Sequence, residues 1–166
     1  MIQKSTLTVL TLASIAVLSV FSFFNIESYK TSIETKRYVA EEVQCMTRNI
    51  YFEAAHEPFE GKLAVAQVTI NRTKNPNFPS TVCAVVSQKT GNLCQFSWFC
   101  EPAKPIQDDF EWKESELVAK QILTKQLTYD KMSDALFYHA VYIKTDWDRR
   151  YQKVKQIGNH IFYKLR

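Results

Sequence analysis

The sequence predicts an α+β domain, with helices first and a small antiparallel sheet last, behind an N-terminal transmembrane or signal segment. Three observations predict this. An apolar run without charges fills residues 7–24, a helical period begins at residue 39, and a strand-like alternation begins at residue 135. A chain of 166 residues has length for one ordinary domain and not two.

Lys4 is the sole charge before the apolar run, and Glu27 and Lys30 close it. A helix over that run would be roughly 27 Å long, just enough to cross a hydrocarbon core. The lone Lys favours a cytoplasmic N-terminus with the remainder sent out. Two readings stand: a signal anchor that stays, or a signal peptide cut near Val20-Phe21-Ser22. Residues 1–26 are thus assigned to this segment, 27–38 to a polar tether, and 39–166 to the folded domain.

From Val39 the apolar positions Val43, Met46 and Ile50 recur at helical spacing, with Glu53 and Ala54 next on the stripe. Pro58 stops this helix or starts the next, because it lacks the donor a helix interior needs. Residues 59–71 form a second helix that is apolar nearly all round, which places it at the centre of the domain. Ser80 is positioned to cap a short helix over 81–88. Residues 89–92 read as a turn and 93–109 as an ordered loop with Pro102 and Pro105. A further helix follows from 110 or 112 to 127, burying Leu117, Val118 and Ile122.

Then the period changes. Phe137, His139, Val141 and Ile143 alternate with Leu136, Tyr138, Ala140 and Tyr142. Two more strands, 154–157 and 160–163, flank Gly158-Asn159, a two-residue hairpin signal because glycine tolerates positive φ.

Four cysteines, Cys45, Cys83, Cys94 and Cys100, suit an exported chain with two disulfides. Three pairings are possible, and spacing does not choose among them. Zinc is the rival reading. However, the gap from Cys94 to Cys100 is too long for a zinc knuckle and no His lies nearby. His56, His139 and His160 lack a local metal-binding spacing, so neither metal nor cofactor is expected. The net charge is +4, with seven Lys and Arg between residues 144 and 166. Outside the membrane such a surface suits an anionic polymer or anionic lipid, and nucleic acid is not an expected partner.

Glu53 is the candidate for chemistry. It falls at the edge of the inward stripe, where desolvation raises a carboxyl pKa and keeps it able to donate a proton. Periodicity alone allows a plainer reading, a boundary glutamate paired with Arg48 or Arg72.

The string NIYFEAAHEPFEGKLAVAQVTINR at 49–72 resembles the opening of the SleB-type cell wall hydrolase family, named for spore cortex-lytic enzymes. The resemblance continues through FPSTVCAVV at 78–86, CQFSWFC at 94–100, ALFYHAVYI at 135–143 and IGNHIFY at 157–163. It implies a compact domain similar to lytic transglycosylases and goose-type lysozyme, with peptidoglycan as partner and no obligate protein partner. The bond cut would be the β-1,4 link between N-acetylmuramic acid and N-acetylglucosamine. The family's catalytic glutamate, first in its Glu-Ala-Arg-Gly-Glu motif, falls on Glu53, and the second Glu falls on Glu57. Ala55 and His56 depart from the motif. A lytic transglycosylase needs one acid. A lysozyme-type hydrolase would need a second carboxylate, and Glu57 is read instead as capping the helix that follows. A non-catalytic wall-binding module is the remaining alternative. For the cleft walls we expect Gln95, Ser97 and Trp98 from the cysteine-bounded loop, and Tyr138, His139 and Tyr142 from the sheet.

Overall fold

A computed structural model describes residues 3–102, 104–124 and 126–166, with side chains from residue 25 onward. The chain divides into a unit of residues 1–40 and a unit of residues 41–166. Helix α1 (Gln3–Ala54) includes residues 27–38, so the segment expected to be a tether is helical. The apolar run at 7–24 lies outside the residues whose side chains are described. Among the described residues, no helix is long and apolar enough to cross a membrane.

In the second unit, α2 (Phe59–Lys74) is central. Its Leu63 and Ala66 join Met46 and Ile50 of α1, Val82, Val85 and Val86 of α3 (Val82–Val86), and Val118, Ala119 and Ile122 of α5 (Asp109–Leu123) in one core. Ala64, Val65 and Val68 face the other way, into a second core with Met132, Ala135, Ile157 and Phe162. Serving two cores is why α2 is apolar on every side, and each fully buried Val or Leu contributes ~1.5–3 kcal/mol. Its one buried Lys, Lys62, is paired with Glu111 and Glu114 and joins α2 to α5.

Several boundaries move. The cap of α3 is Thr81, whose hydroxyl accepts from Ala84 N at 3.2 Å, and not Ser80. Asp108 caps α5, accepting from Phe110 N and Glu111 N, so that helix begins earlier than expected. Leu117 faces solvent, half exposed. The turn at 89–92 is the tip of a tiny hairpin, β1 (Lys89–Thr90) with β2 (Leu93–Cys94). The loop after it contains a single helical turn, α4 (Ser97–Cys100).

The three-stranded antiparallel sheet has the order β3 (Phe137–Ala140), β5 (His160–Lys164), β4 (Gln152–Ile157). A further turn, α6 (Trp147–Arg150), precedes β4. Ile157 pairs with His160, so Gly158 and Asn159 form the two-residue hairpin loop. Gly158 has φ +52°, and a Cβ there would lie 1.8 Å from Glu57 Oε2 and 3.1 Å from Pro58 Cδ. Gly158→Ala is therefore expected to cost at least about 1–2 kcal/mol from the left-handed backbone alone. Displacement of Glu57 would add to this. Chemical denaturation checks it, and an unchanged midpoint would rule out the packing argument.

Cys45 pairs with Cys83, and Cys94 with Cys100, which settles which of the three pairings holds.

Candidate active site

Glu53 occupies the last turn of α1, where the unpaired carbonyl ends of a helix disfavour negative charge. Ala55 N and Glu57 N bond back to Tyr51 O and Ala54 O, and Pro58, with φ −58°, turns the chain into α2. This tight exit leaves Glu53 half-buried at the floor of a cleft of about 490 Å³. Its walls come from four places. They are residues 51–57 at the end of α1, Lys104, Pro105 and Gln107 of the loop before α5, Ala140 and Tyr142 at the end of β3, and Asn159 with His160 at the hairpin. Buried Tyr51 steadies the loop side, because its hydroxyl accepts from Gln107 N at 3.1 Å and Asp108 N at 3.2 Å.

The Tyr138 hydroxyl, from β3, donates to Glu53 Oε2 at 3.0 Å. Three influences act on the Glu53 carboxyl. Burial raises its pKa and outweighs the Tyr138 hydrogen bond and the Arg72 charge, both of which lower it. Burial likewise drives the Tyr138 phenol well above its usual range, with the Glu53 charge adding to the effect. Arg72 is itself buried on α2, donating from Nε to Leu136 O at 2.8 Å between the rings of Phe78 and Phe96. The cluster is thus a carboxyl biased toward its protonated form, an oriented phenol and a distant cation. That arrangement can deliver one proton and take one back.

Tyr138→Phe would remove a donor that favours the carboxylate, so the Glu53 pKa should rise further. A carbon-detected NMR titration of the Glu53 carboxyl reads this directly. A fall, or no change, would mean that the hydrogen bond does not act on the ionised form.

The other expected residues are distributed unevenly. Tyr142 reaches the cleft rim, but from the turn after β3 and not from a strand, because the strand ends at Ala140. His139 does not reach the cleft. Strand neighbours alternate sides, so its ring stacks on Tyr163 at 5.3 Å and meets Trp147 edge-on, on the face of the sheet opposite Tyr138. Gln95 and Ser97 are exposed and outside the cleft. Trp98 is buried in the first core, stacked on Phe52 at 4.8 Å, and does not line the cleft itself. Glu57 does not cap α2. It accepts from Asn159 N at 2.9 Å and ties the hairpin turn to the cleft floor.

Among the cleft residues that sequence reasoning does not single out as site residues are His160 and Gln107. His160 is buried beside Tyr138, with ring centres 5.2 Å apart, and burial lowers its pKa below that of a free imidazole. A single Asn-His step after a hairpin glycine was the available signal, and it carries no chemistry by itself. Ala55 and His56, the departures from the family motif, both line the cleft. A larger concavity of about 700 Å³ lies among Asn71, Tyr129 and Arg166. Its carboxylates, Asp130 and Asp134, are exposed, and no buried acid faces it.

The profile of the Cell Wall Hydrolase family matches residues 56–163, more than half of the chain, beginning three residues after Glu53. The spore cortex-lytic enzyme of Oceanobacillus iheyensis is 30% identical over 129 residues, 76% of this chain and 43% of that protein. Its counterpart in Bacillus cereus is 29% identical over 128 residues, 76% of this chain and 46% of that one. The chain therefore spans less than half the length of these relatives. Among solved structures, the catalytic domain of the germination-specific lytic transglycosylase SleB from Bacillus anthracis is similar, with TM-score 0.57 and 25% identity. That likeness covers 74% of this chain and 93% of that domain. The catalytic domain of the Bacillus cereus SleB protein gives TM-score 0.56 and 27% identity, over 74% of this chain and 89% of that one.

Proposed function

Because the chain belongs to the cell wall hydrolase family, we propose that it cleaves the β-1,4 bond between N-acetylmuramic acid and N-acetylglucosamine in peptidoglycan. The observation that carries this reading is the Glu53 carboxyl, burial-raised and hydrogen-bonded by Tyr138 at the floor of an open cleft. Glu53 protonates the glycosidic oxygen as the bond from the muramic C1 breaks, leaving oxocarbenium character on that sugar. The carboxylate so formed is steadied by the Tyr138 hydroxyl and the Arg72 charge. It then takes the proton of the sugar's own 6-hydroxyl, whose oxygen closes on C1 as a 1,6-anhydro ring. One proton leaves Glu53 and one returns.

The lytic transglycosylase course is favoured over an inverting hydrolase by the second carboxyl in the cleft. An inverting enzyme needs a free base about 6.5–9.5 Å from the acid to activate water. Glu57 is instead engaged with the backbone of Asn159. Gln95, Ser97 and His139 have no part in this reading, while Tyr138 and Tyr142 keep theirs. We place the domain outside the cytoplasm. It would be held at the periplasmic face of the inner membrane by the 7–24 segment, or released into the periplasm if that segment is cut. Two disulfides and the apolar run support this. The setting is wall remodelling in a bacterium or lysis by a phage. Digestion of purified peptidoglycan followed by mass spectrometry tests the reaction. Fragments with 1,6-anhydromuramyl ends are expected, and reducing ends in their place would replace the transglycosylase with the hydrolase.

A further inference from the structure

Beside the Glu53 cleft lies a smaller recess of about 130 Å³, lined by Arg48, Phe52, Trp98, Phe99, Glu101 and Lys104. Phe52 and Lys104 line both, so the two are contiguous. We propose that this recess is a subsite for a carboxylate of the peptide branch carried by the muramic sugar. The inference rests on the glycosidase reading above and extends it to the part of the substrate that is not sugar.

Size is the first argument. At about 130 Å³ the recess is roughly a quarter of the Glu53 cleft, a size that suits a small group such as a carboxylate and its flanking atoms better than a run of sugars. The second argument is charge. Arg48 is exposed, and its guanidinium carbon lies 5.6 Å from the Trp98 ring centre and 5.9 Å from that of Phe52. The cation–π attraction of the two rings restrains the guanidinium, and its donors stay open to a partner. Among the described residues no carboxylate is ion-paired with it, whereas Lys104 is already paired with Glu101. Lys89 adds a further positive charge, 6.0 Å from the Phe99 ring centre. The recess therefore presents one guanidinium without an ion-pair partner among the described residues, beside the cleft that holds Glu53. A muramic sugar bound over Glu53 carries its peptide on a lactyl arm, and that arm is what such a neighbour would meet.

The test compares cleavage of peptidoglycan with that of the same strands stripped of peptide by an amidase, for the parent and for Arg48→Gln and Arg48→Lys. The parent should prefer peptide-bearing strands. In Arg48→Gln the ratio of the two rates should fall about three- to fivefold, the scale of a partly exposed charge pair. Arg48→Lys should retain part of it, and high salt should erode the parent's preference. An unchanged ratio in Arg48→Gln overturns the subsite. A second readout is independent of chemistry: binding of soluble disaccharide-peptide and peptide-free disaccharide to the Glu53→Gln chain, with and without Arg48→Gln. If the parent cleaves neither strand but Arg48→Gln still weakens the disaccharide-peptide selectively, the subsite stands and the glycosidase reading falls. If the two ligands bind alike, the subsite falls whatever the rates show.

Discussion

Glu53→Gln is expected to lower the rate of glycan cleavage by about 10²–10⁴-fold, the usual contribution of a positioned general acid, while leaving the chain folded. The amide keeps the volume of the carboxyl and an oxygen for the Tyr138 hydroxyl to donate to, but has no proton to give the leaving oxygen. Folding should in fact improve near neutral pH. The folded carboxyl has a pKa raised by burial above its unfolded value, so between the two values the folded chain holds more proton than the unfolded one. Stability is then full below the unfolded pKa and is lost as pH climbs toward and through the folded pKa. Glutamine does not titrate and escapes that loss. Thermal melts should therefore show the variant at or above the parent at pH 7, with the gain vanishing below the ordinary carboxyl range. A variant that keeps full activity would remove Glu53 from the mechanism. A variant that is inactive but strongly destabilised would mean that the residue is structural.

The same residue shows how far the sequence could be read. Spacing along α1 places Glu53 at the edge of the buried stripe, because helical periodicity is a local property of the chain. The hairpin over Gly158-Asn159 and the centrality of α2 are legible for the same reason. What gives Glu53 its character is not local. Tyr138 is 85 residues away in sequence, and Glu57 meets Asn159 across 102. Alternation in the strand makes Tyr138 and His139 point to opposite faces. It does not reveal which face looks at Glu53, so both were candidates and only one reaches the cleft. Trp98 illustrates another limit. A large aromatic in a disulfide-bounded loop reads equally as a sugar platform or as core, and the structure places it in the buried cluster that also holds Met46, Leu63 and Ile122. Thr81 displaced Ser80 as the α3 cap by one residue, which is within the slack that two adjacent hydroxyl residues leave.

Replacing both Cys45 and Cys83 by Ser is expected to cost more stability than either Gly158→Ala or Glu53→Gln. The bridge closes a span of 38 residues, and freeing it returns chain entropy to the unfolded state worth about 4 kcal/mol. The Cys94–Cys100 bridge, with a separation of 6, is worth about 2 kcal/mol by the same relation. For a chain of this length, about 4 kcal/mol corresponds to roughly 8–16 °C in Tm. The loss should not prevent folding outright, because a second clasp joins the same elements. The Glu42 carboxylate accepts from Val82 N at 2.6 Å and Cys83 N at 3.2 Å, and Met46 and Ile50 remain in the core with Val82, Val85 and Val86. The consequence for the site follows from position. Cys45 lies three residues before Arg48 and eight before Glu53 on the same helix, so the bridge anchors the segment that carries both. Activity should accordingly survive at low temperature and disappear earlier on heating, and reductant should reproduce that behaviour in the parent. Melts of the two double-serine variants side by side decide the matter. If removing the Cys94–Cys100 bridge costs as much as removing the Cys45–Cys83 bridge, loop length is not what sets the stabilisation.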